Sequence, residues 1–388
     1  MRLRVLIVPD KFKGTLSAAG AAEAMAEGWR QARPGDRLDL LPMSDGGDGF
    51  GEVLSGRLGA HPEVIETVDA AGRPLRARWW WEPTCRTAIV ESAQVIGLAL
   101  LPAGKYHPFE LDTRGLGAVL EAARTKGALR CLVGIGGSAT NDAGFGLARA
   151  LGWRFMDAKE GAIESWIRLE ALASIRPPKR RRWFRDLCVA VDVRNRLMGP
   201  KGATRVYGPQ KGLEPGDYPT AERCLRRLVQ VARKQRLPDV ATEPGTGAAG
   251  GLGYGLRVFL GARLMPGFAL FARYARLNER LKQADLVITG EGAIDESTRM
   301  GKGVGEIARL CRAQGIPCLG LAGGGPWENG APRRPFTQVF RIVPELASRE
   351  ESQRCPGYWL TTLAAQTGRL WANNQPPASV LIRSVGLK

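Results

Sequence analysis

The chain alternates short, nearly unbroken apolar runs with longer segments whose apolar residues recur every three or four positions. Runs of the first kind cover residues 3–8, 38–42, 129–135, 187–193, 286–289, 317–322 and 339–343. Continuous apolar stretches of this length predict parallel strands covered on both faces. Segments of the second kind predict helices over 17–30, with Ser17 as N-cap, and over 114–126, 220–236, 267–281 and 304–314. In the fourth of these, Phe268, Phe271, Leu277 and Leu281 fall on one stripe and predict core packing. Strands alternating with helices give the α/β class.

Two segments break the alternation. Residues 64–68 and 75–81, joined by a turn at 71–74 (AGRP), read as a hairpin, and its Trp79, Trp80 and Trp81 read as a half-buried strand rather than a base-stacking platform. Near residue 285 the simple strand, loop and helix order resumes. The expected layout is therefore a doubly wound, Rossmann- or flavodoxin-like terminal domain of residues 1–60 and 286–388, interrupted by a second α/β domain of residues 61–285, with the active-site cleft between them. No internal repeat at a fixed period is present.

Length and composition support two ordered domains. The 388 residues, 44% of them hydrophobic, exceed what one core usually serves. The fifty glycines, nearly twice the average share of about 7%, cluster between apolar runs and so read as loops of a globular enzyme. The odd count of seven cysteines, without C-x-x-C spacing, argues for reduced thiols and a cytoplasmic location. The first eight residues hold too few apolar positions for a signal segment, and no window reaches the roughly 18 apolar residues of a membrane span. A formal charge of +18 suits either nucleic acid or an anionic substrate. Its densest run, residues 176–185 (RPPKRRRWFR), lacks any zinc-finger, recognition-helix or aromatic RNA-binding pattern and reads as a solvated loop.

The chemistry is concentrated in glycine-rich loops that follow strands. The first strand ends in PDKFKGTLS, which brings Asp10, Lys11 and Lys13 to the carboxyl edge of a sheet, where ligands of α/β folds bind. The second ends in PMSDGGDG, delivering Asp45 and Asp48, just after Ser44, to the same edge from the next strand, and two neighbouring loops of opposite charge suggest one site. The loop at 134–144 (GIGGSATNDAG) exposes Gly136, Gly137, Ser138, Thr140, Asn141 and Asp142, of which Asp142 is also a candidate helix cap. Asp192, at a strand end with the Asn195 amide close behind, suits a general base or a metal ligand. Further loops at 207–212 (YGPQKG, with Lys211), 246–251 (with Gly247, Gly250 and Gly251) and 289–295 (TGEGAID, with Glu291 and Asp295) supply donors and carboxylates, and Lys302 between two glycines could meet phosphate. Together these loops point to phosphoryl chemistry.

Several kinase and dehydrogenase classes are excluded. Gly301 and Lys302 are followed by Gly303 rather than Ser or Thr, so no P-loop is present. The protein-kinase catalytic motifs are missing, and the glycine loops lack the acidic residue that completes a dinucleotide fingerprint. Only His61 and His107 are present, neither in these loops, which leaves a carboxylate as the natural base.

In order along residues 5 to about 370, the segments 9–18 (PDKFKGTLSA), 42–47 (PMSDGG) and beyond, 134–144, 192–195 (DVRN), 208–212 (GPQKG), 247–251 (GAAGG) and 289–295, followed by Gly301 and Lys302, closely resemble the bacterial glycerate kinase family of type 1. The resemblance implies ATP-dependent phosphorylation of D-glycerate with magnesium, in a cleft between two α/β domains of which one is discontinuous. The implied product is 2-phosphoglycerate, with the 3-phosphate as the alternative. Lys11, Arg196, Glu296 and the stretch 322–325 (AGGG) depart from the family pattern. On this reading Asp192, Lys13 and Asp10 are catalytic, and Lys11, Ser44, Asp45, Asn195 and Lys211 bind substrate. Gly136, Gly137, Ser138, Thr140, Asn141, Asp142, Gly247, Gly250, Gly251 and Lys302 serve the nucleotide, and Asp45, Glu291 and Asp295 hold the metal. The small-molecule partner is D-glycerate, with no membrane and no nucleic acid. The competing readings are a kinase of another small hydroxy acid, and a basic nucleic-acid-binding protein on an inactive kinase scaffold.

Overall fold

The computed structural model describes residues 2–179, 182–299, 303–326, 330 and 334–373. Its strands, in chain order, are β1 Arg4–Pro9, β2 Arg37–Leu40, β3 His61–Val68, β4 Pro74–Glu82, β5 Thr87–Glu91, β6 Arg130–Gly134, β7 Arg154–Asp157, β8 Leu172–Arg176, β9 Asp186–Val191, β10 Arg263–Pro266, β11 Leu286–Ala293, β12 Cys318–Gly324 and β13 Gln338–Arg341. The chain divides into one unit of Met1–Ser44 with Ala275–Lys388 and a second of Asp45–Tyr274.

The discontinuous unit is a five-stranded, all-parallel sheet in the order β13-β12-β11-β1-β2. Its apolar strands bury Val5, Ile7, Ile288, Leu319 and Leu321, as expected for a sheet covered on both faces. From β1 the chain winds outward to β2, whereas β11 to β13 progress in the opposite direction, which places a topological switch point at the β1/β11 pair. Ser17 caps the helix Ala18–Ala32 by accepting the Gly20 N–H at 3.1 Å. That helix buries Met25 and Trp29 and crosses the helix Pro356–Asn373 closely, since a Cβ on Gly28 would lie 2.0 Å from the Thr361 carbonyl oxygen.

The inserted unit is built on a six-stranded sheet in the order β10-β9-β6-β5-β4-β3. The strands β5, β6, β9 and β10 run parallel, and β3, β4 and β5 form the antiparallel edge that includes the expected hairpin. Trp79 and Trp80 are buried, so neither presents a face for stacking bases. A separate antiparallel pair, β7 with β8, lies between β6 and β9 in the sequence.

The expected helix over 267–281 is two helices, Gly267–Tyr274 and Leu277–Gln283, separated at Arg276, whose φ of 50° is left-handed. Phe271, Leu277 and Leu281 are buried as the stripe requires. The break coincides with the boundary between units. This boundary and the one after Ser44 both fall N-terminal to the expected limits of 285/286 and 60/61, for reasons of packing. The helix Phe50–Leu58 buries Phe50 and Leu54 against Trp80, Ile89 and Leu132 of the six-stranded sheet. The helix Leu277–Gln283 is tied instead to β2 through the ion pair of Arg280 with Asp39. Among the described residues no helix is long and apolar enough to cross a membrane.

Candidate active site

In the inserted unit, two glycine loops interlock at the carboxyl ends of β6 and β9. The Gly136 N–H donates to the Gly46 carbonyl at 3.1 Å, joining the loop at 45–49 to the loop at 134–144. A Cβ at Gly137, whose φ is +74°, would lie 2.3 Å from Asp48 Oδ1, and one at Gly46 would lie 3.1 Å from Asp192 Oδ1. The loops therefore bring Asp45, Asp48 and Asp192 into one neighbourhood. Glu91, at the end of β5, fixes the first loop from below: it is only 2% exposed and accepts the N–H groups of Gly49 and Gly51 at 3.0 and 2.9 Å. Burial pushes its carboxyl above the usual range, with the Asp48 charge adding to the effect and the two amide hydrogen bonds opposing it.

Asp142 fastens the second loop. Fully buried, it accepts the Thr113 N–H and hydroxyl at 2.9 and 2.8 Å and the N–H groups of Gly144 and Gly146 at 3.1 and 2.9 Å. Burial raises its pKa to about 6, reinforced by Asp112. Asn141 donates to Thr204 at 3.1 Å, and Thr140 and Asn141 are both fully buried. These three residues shape the loop from behind.

Beside the loop lies a pocket of about 160 Å³ whose lining includes Gly136, Gly137, Ser138, Asp192, Tyr207 and Lys211, together with Ala248 and Ala249. Lys211 ends the helix Ala203–Lys211 and is 6% exposed. Its ammonium donates to Ser138 Oγ at 3.1 Å and to the Thr140 carbonyl at 2.7 Å. Burial lowers its pKa to about 7, a shift that the Asp142 charge opposes. Tyr207 donates to Asn195 Oδ1 at 2.6 Å while the Asn195 amide donates to the Lys201 carbonyl at 2.8 Å, so Asn195 orients the phenol. Burial, then the Asp192 charge, pushes the phenol up to about 12, which keeps it a neutral donor.

The loop at 246–251 packs beside this cavity through an unusual backbone. Ala249, Gly250 and Gly251 all take left-handed φ, and a Cβ on Gly250 would sit 1.9 Å from the Thr140 carbonyl oxygen. The N–H groups of Gly247 and Gly251 donate to the Asn195 and Gly247 carbonyls at 3.0 and 3.2 Å. Two of the amides expected for phosphate thus bind protein here.

In the discontinuous unit, the remaining candidates gather at the switch point. The Asp10 N–H donates to the Gly290 carbonyl at 2.9 Å, and Asp10 Oδ1 accepts the Lys11 N–H at 2.7 Å. Lys13 is exposed on the same turn, and a Cβ on Gly292 would approach its backbone nitrogen to 3.4 Å. Thr298 links the other loop, donating to Glu291 Oε1 at 2.7 Å and accepting the Asp295 N–H at 3.2 Å. Ser44 is buried at this unit's limit. Lys302 lies outside the described residues, as do Arg180 and Arg181 of the basic run. Among the described residues, no three His, Cys, Asp or Glu side chains form a group that could hold a metal ion.

A sequence profile described as the glycerate kinase family matches residues 5–372. The chain belongs to the glycerate kinase family. Among curated members, glycerate kinase of Bacillus subtilis is 37% identical over 90% of this chain and 93% of its own length. Glycerate kinase of Halalkalibacterium halodurans is 35% identical over the same shares of each chain. Glycerate 2-kinase of Escherichia coli is 33% identical over 91% of this chain and 93% of its own. The crystal structure of a Salmonella typhimurium LT2 protein assigned as glycerate kinase 2 superposes with a TM-score of 0.81 at 31% identity, covering 96% of this chain and 99% of that one. Curated glycerate kinases are phosphotransferases, so the phosphoryl chemistry read from the loops is that of the family, and the two α/β units are its architecture.

Within this family framework, the sequence reading passed over Glu91, Thr113 and Thr298. Glu91 closes the run at 87–91 (TAIVE), which a search for strand-end acids would find. Thr113 and Thr298 carry no local signal, because each acts on a partner many residues or a full turn away.

Proposed function

We propose that the chain transfers the terminal phosphoryl group of ATP to the 2-hydroxyl of D-glycerate. The observation that carries this reading is the small cavity of the inserted unit, where a carboxylate, Asp192, and a buried ammonium, Lys211, line the same space. A hydroxy acid presents both an anion and an alcohol to such a pair. The E. coli relative's name, glycerate 2-kinase, supports the choice of hydroxyl.

Asp192 is assigned as the base that orients the hydroxyl and takes its proton as the oxygen attacks phosphorus. Tyr207, held by Asn195, borders the same cavity and orients by hydrogen bonding rather than by proton transfer. In the discontinuous unit, Lys13 is assigned to neutralise charge on the transferring phosphoryl group, with Asp10 shaping its turn. Glu291 and Asp295 offer the hard oxygen donors that magnesium prefers, and a nucleotide-bound ion needs only one or two carboxylates because phosphate and water complete its shell. When bound, magnesium supplies charge neutralisation on phosphate oxygens.

The test is a coupled assay of ADP release with ATP, magnesium and D-glycerate, with the product read by phosphorus NMR. Glycerate-dependent release and a 2-phosphoglycerate resonance are expected. Release that is the same without glycerate, or a 3-phosphate product, would overturn the respective part of the reading.

A further inference from the structure

We infer that Lys211 and Ser138 receive the carboxylate of the acceptor, which makes the cavity of the inserted unit the acceptor pocket and restricts it to short 2-hydroxy acids. This rests on the reading of the chain as a hydroxy-acid kinase and reassigns Ser138 from the nucleotide to the acceptor.

The first support is an uncompensated buried cation. Lys211 is 6% exposed and makes no ion pair among the described residues, and the two hydrogen-bond partners of its ammonium there, the Ser138 hydroxyl and the Thr140 carbonyl, are both neutral. An ammonium has three donors, and burying one without an anion is costly. Asp142, the acid whose charge it feels, already accepts hydrogen bonds from Thr113, Gly144 and Gly146 and stands behind the loop. The side of Lys211 that lines the cavity is therefore where an anion completes the shell.

Size and charge then select the anion. A pocket of about 160 Å³, below the roughly 300–1,000 Å³ of sites that enclose drug-sized ligands, has room for an acid of seven heavy atoms. Asp192 lines the same walls. Its negative charge opposes a polyanionic phosphate chain at this spot, yet it accepts a hydrogen bond from the hydroxyl of a singly charged hydroxy acid. Tyr207 is oriented toward Asn195 and leaves Lys211 as the buried cation of the pocket.

The experiment compares the full chain with Lys211→Met, Lys211→Arg and Ser138→Ala. It uses steady-state kinetics in both substrates and calorimetric binding of D-glycerate without nucleotide. Lys211→Met is expected to raise KM for glycerate by roughly 30-fold or more, the usual loss when one partner of a buried charged contact is removed, with KM for ATP within about twofold. Ser138→Ala should raise the same constant several-fold, and it decides the matter should Lys211→Met fail to fold. Lys211→Arg should recover part of the glycerate affinity. A rise in KM for ATP with glycerate affinity unchanged would overturn the inference. Normal glycerate turnover in Lys211→Met would sink the pocket assignment and leave the kinase reading standing. Lys211-dependent binding of another short hydroxy acid, without glycerate turnover in the parent chain, would do the reverse.

Discussion

The buried ammonium of Lys211 makes a pH-dependent prediction about stability. A fall in its pKa from 10.5 to about 7 corresponds to roughly 5 kcal/mol against the charged form in the folded chain. Because the folded pKa lies below the unfolded one, the unfolded chain binds more protons between these values, so stability rises with pH across that window. Below pH 7 the full cost of the buried charge is present; between pH 7 and 9 roughly 2 kcal/mol of it is relieved, at up to about 1.4 kcal/mol per pH unit. Asp142, near 6, and Tyr207, near 12, titrate outside the interval. Replacing Lys211 by Met removes the titrating group while keeping an unbranched side chain in its place. The assay is urea unfolding of both proteins at pH 7, 8 and 9, followed by circular dichroism and fitted with a transition for each unit. The stability of the Met variant minus that of the parent should fall by roughly 2 kcal/mol between pH 7 and 9. A difference that stays constant across the interval would refute the claim that burial, rather than solvent, surrounds this ammonium.

Three further outcomes are expected. Asp192→Asn should lower turnover about 100-fold or more while the chain stays folded, as judged by circular dichroism; near-parental turnover would remove Asp192 from the role of base. Glu91→Ala leaves the Gly49 and Gly51 amides without their buried acceptor and should cost about 1–3 kcal/mol in urea unfolding, whereas an unchanged midpoint would show that the loop at 45–49 does not depend on it. Gly250→Ala would place a Cβ 1.9 Å from the Thr140 carbonyl in a left-handed backbone, so the variant should lose activity and melt earlier, with parental values of both counting against the close packing of these loops.

The strands β1, β6, β9, β11, β12 and β13 were legible as apolar runs and fall within a few residues of the expected ones, whereas β5, β7, β8 and β10, four or five residues each, carried too short a pattern to be expected. Ser17 as N-cap was legible for a local reason, since its hydroxyl acts three residues away. The break at Arg276 was not: periodicity continues across it, and a left-handed residue without glycine leaves no mark in the pattern. The unit limits were displaced for a related reason, as the helix Phe50–Leu58 follows Asp45 in sequence but finds its apolar partners, Trp80 and Leu132, on distant strands.

For the site, the sequence by itself determined which loops carry chemistry. Glycine clusters at strand ends and the acids, amides and lysines among them are properties of short segments, and their order along the chain sufficed to indicate the family. Tertiary structure decided what each side chain does there. Asp142 and Lys211 look alike in sequence as polar residues of glycine loops, yet one is saturated by Thr113 and backbone amides behind the loop while the other lines the cavity with neutral partners alone. That distinction depends on burial and on contacts such as Lys211 with Ser138, 73 residues apart, which no local pattern encodes. Desolvation acts through the whole surrounding shell, so the chemistry of a buried charge is fixed only when the fold has assembled that shell.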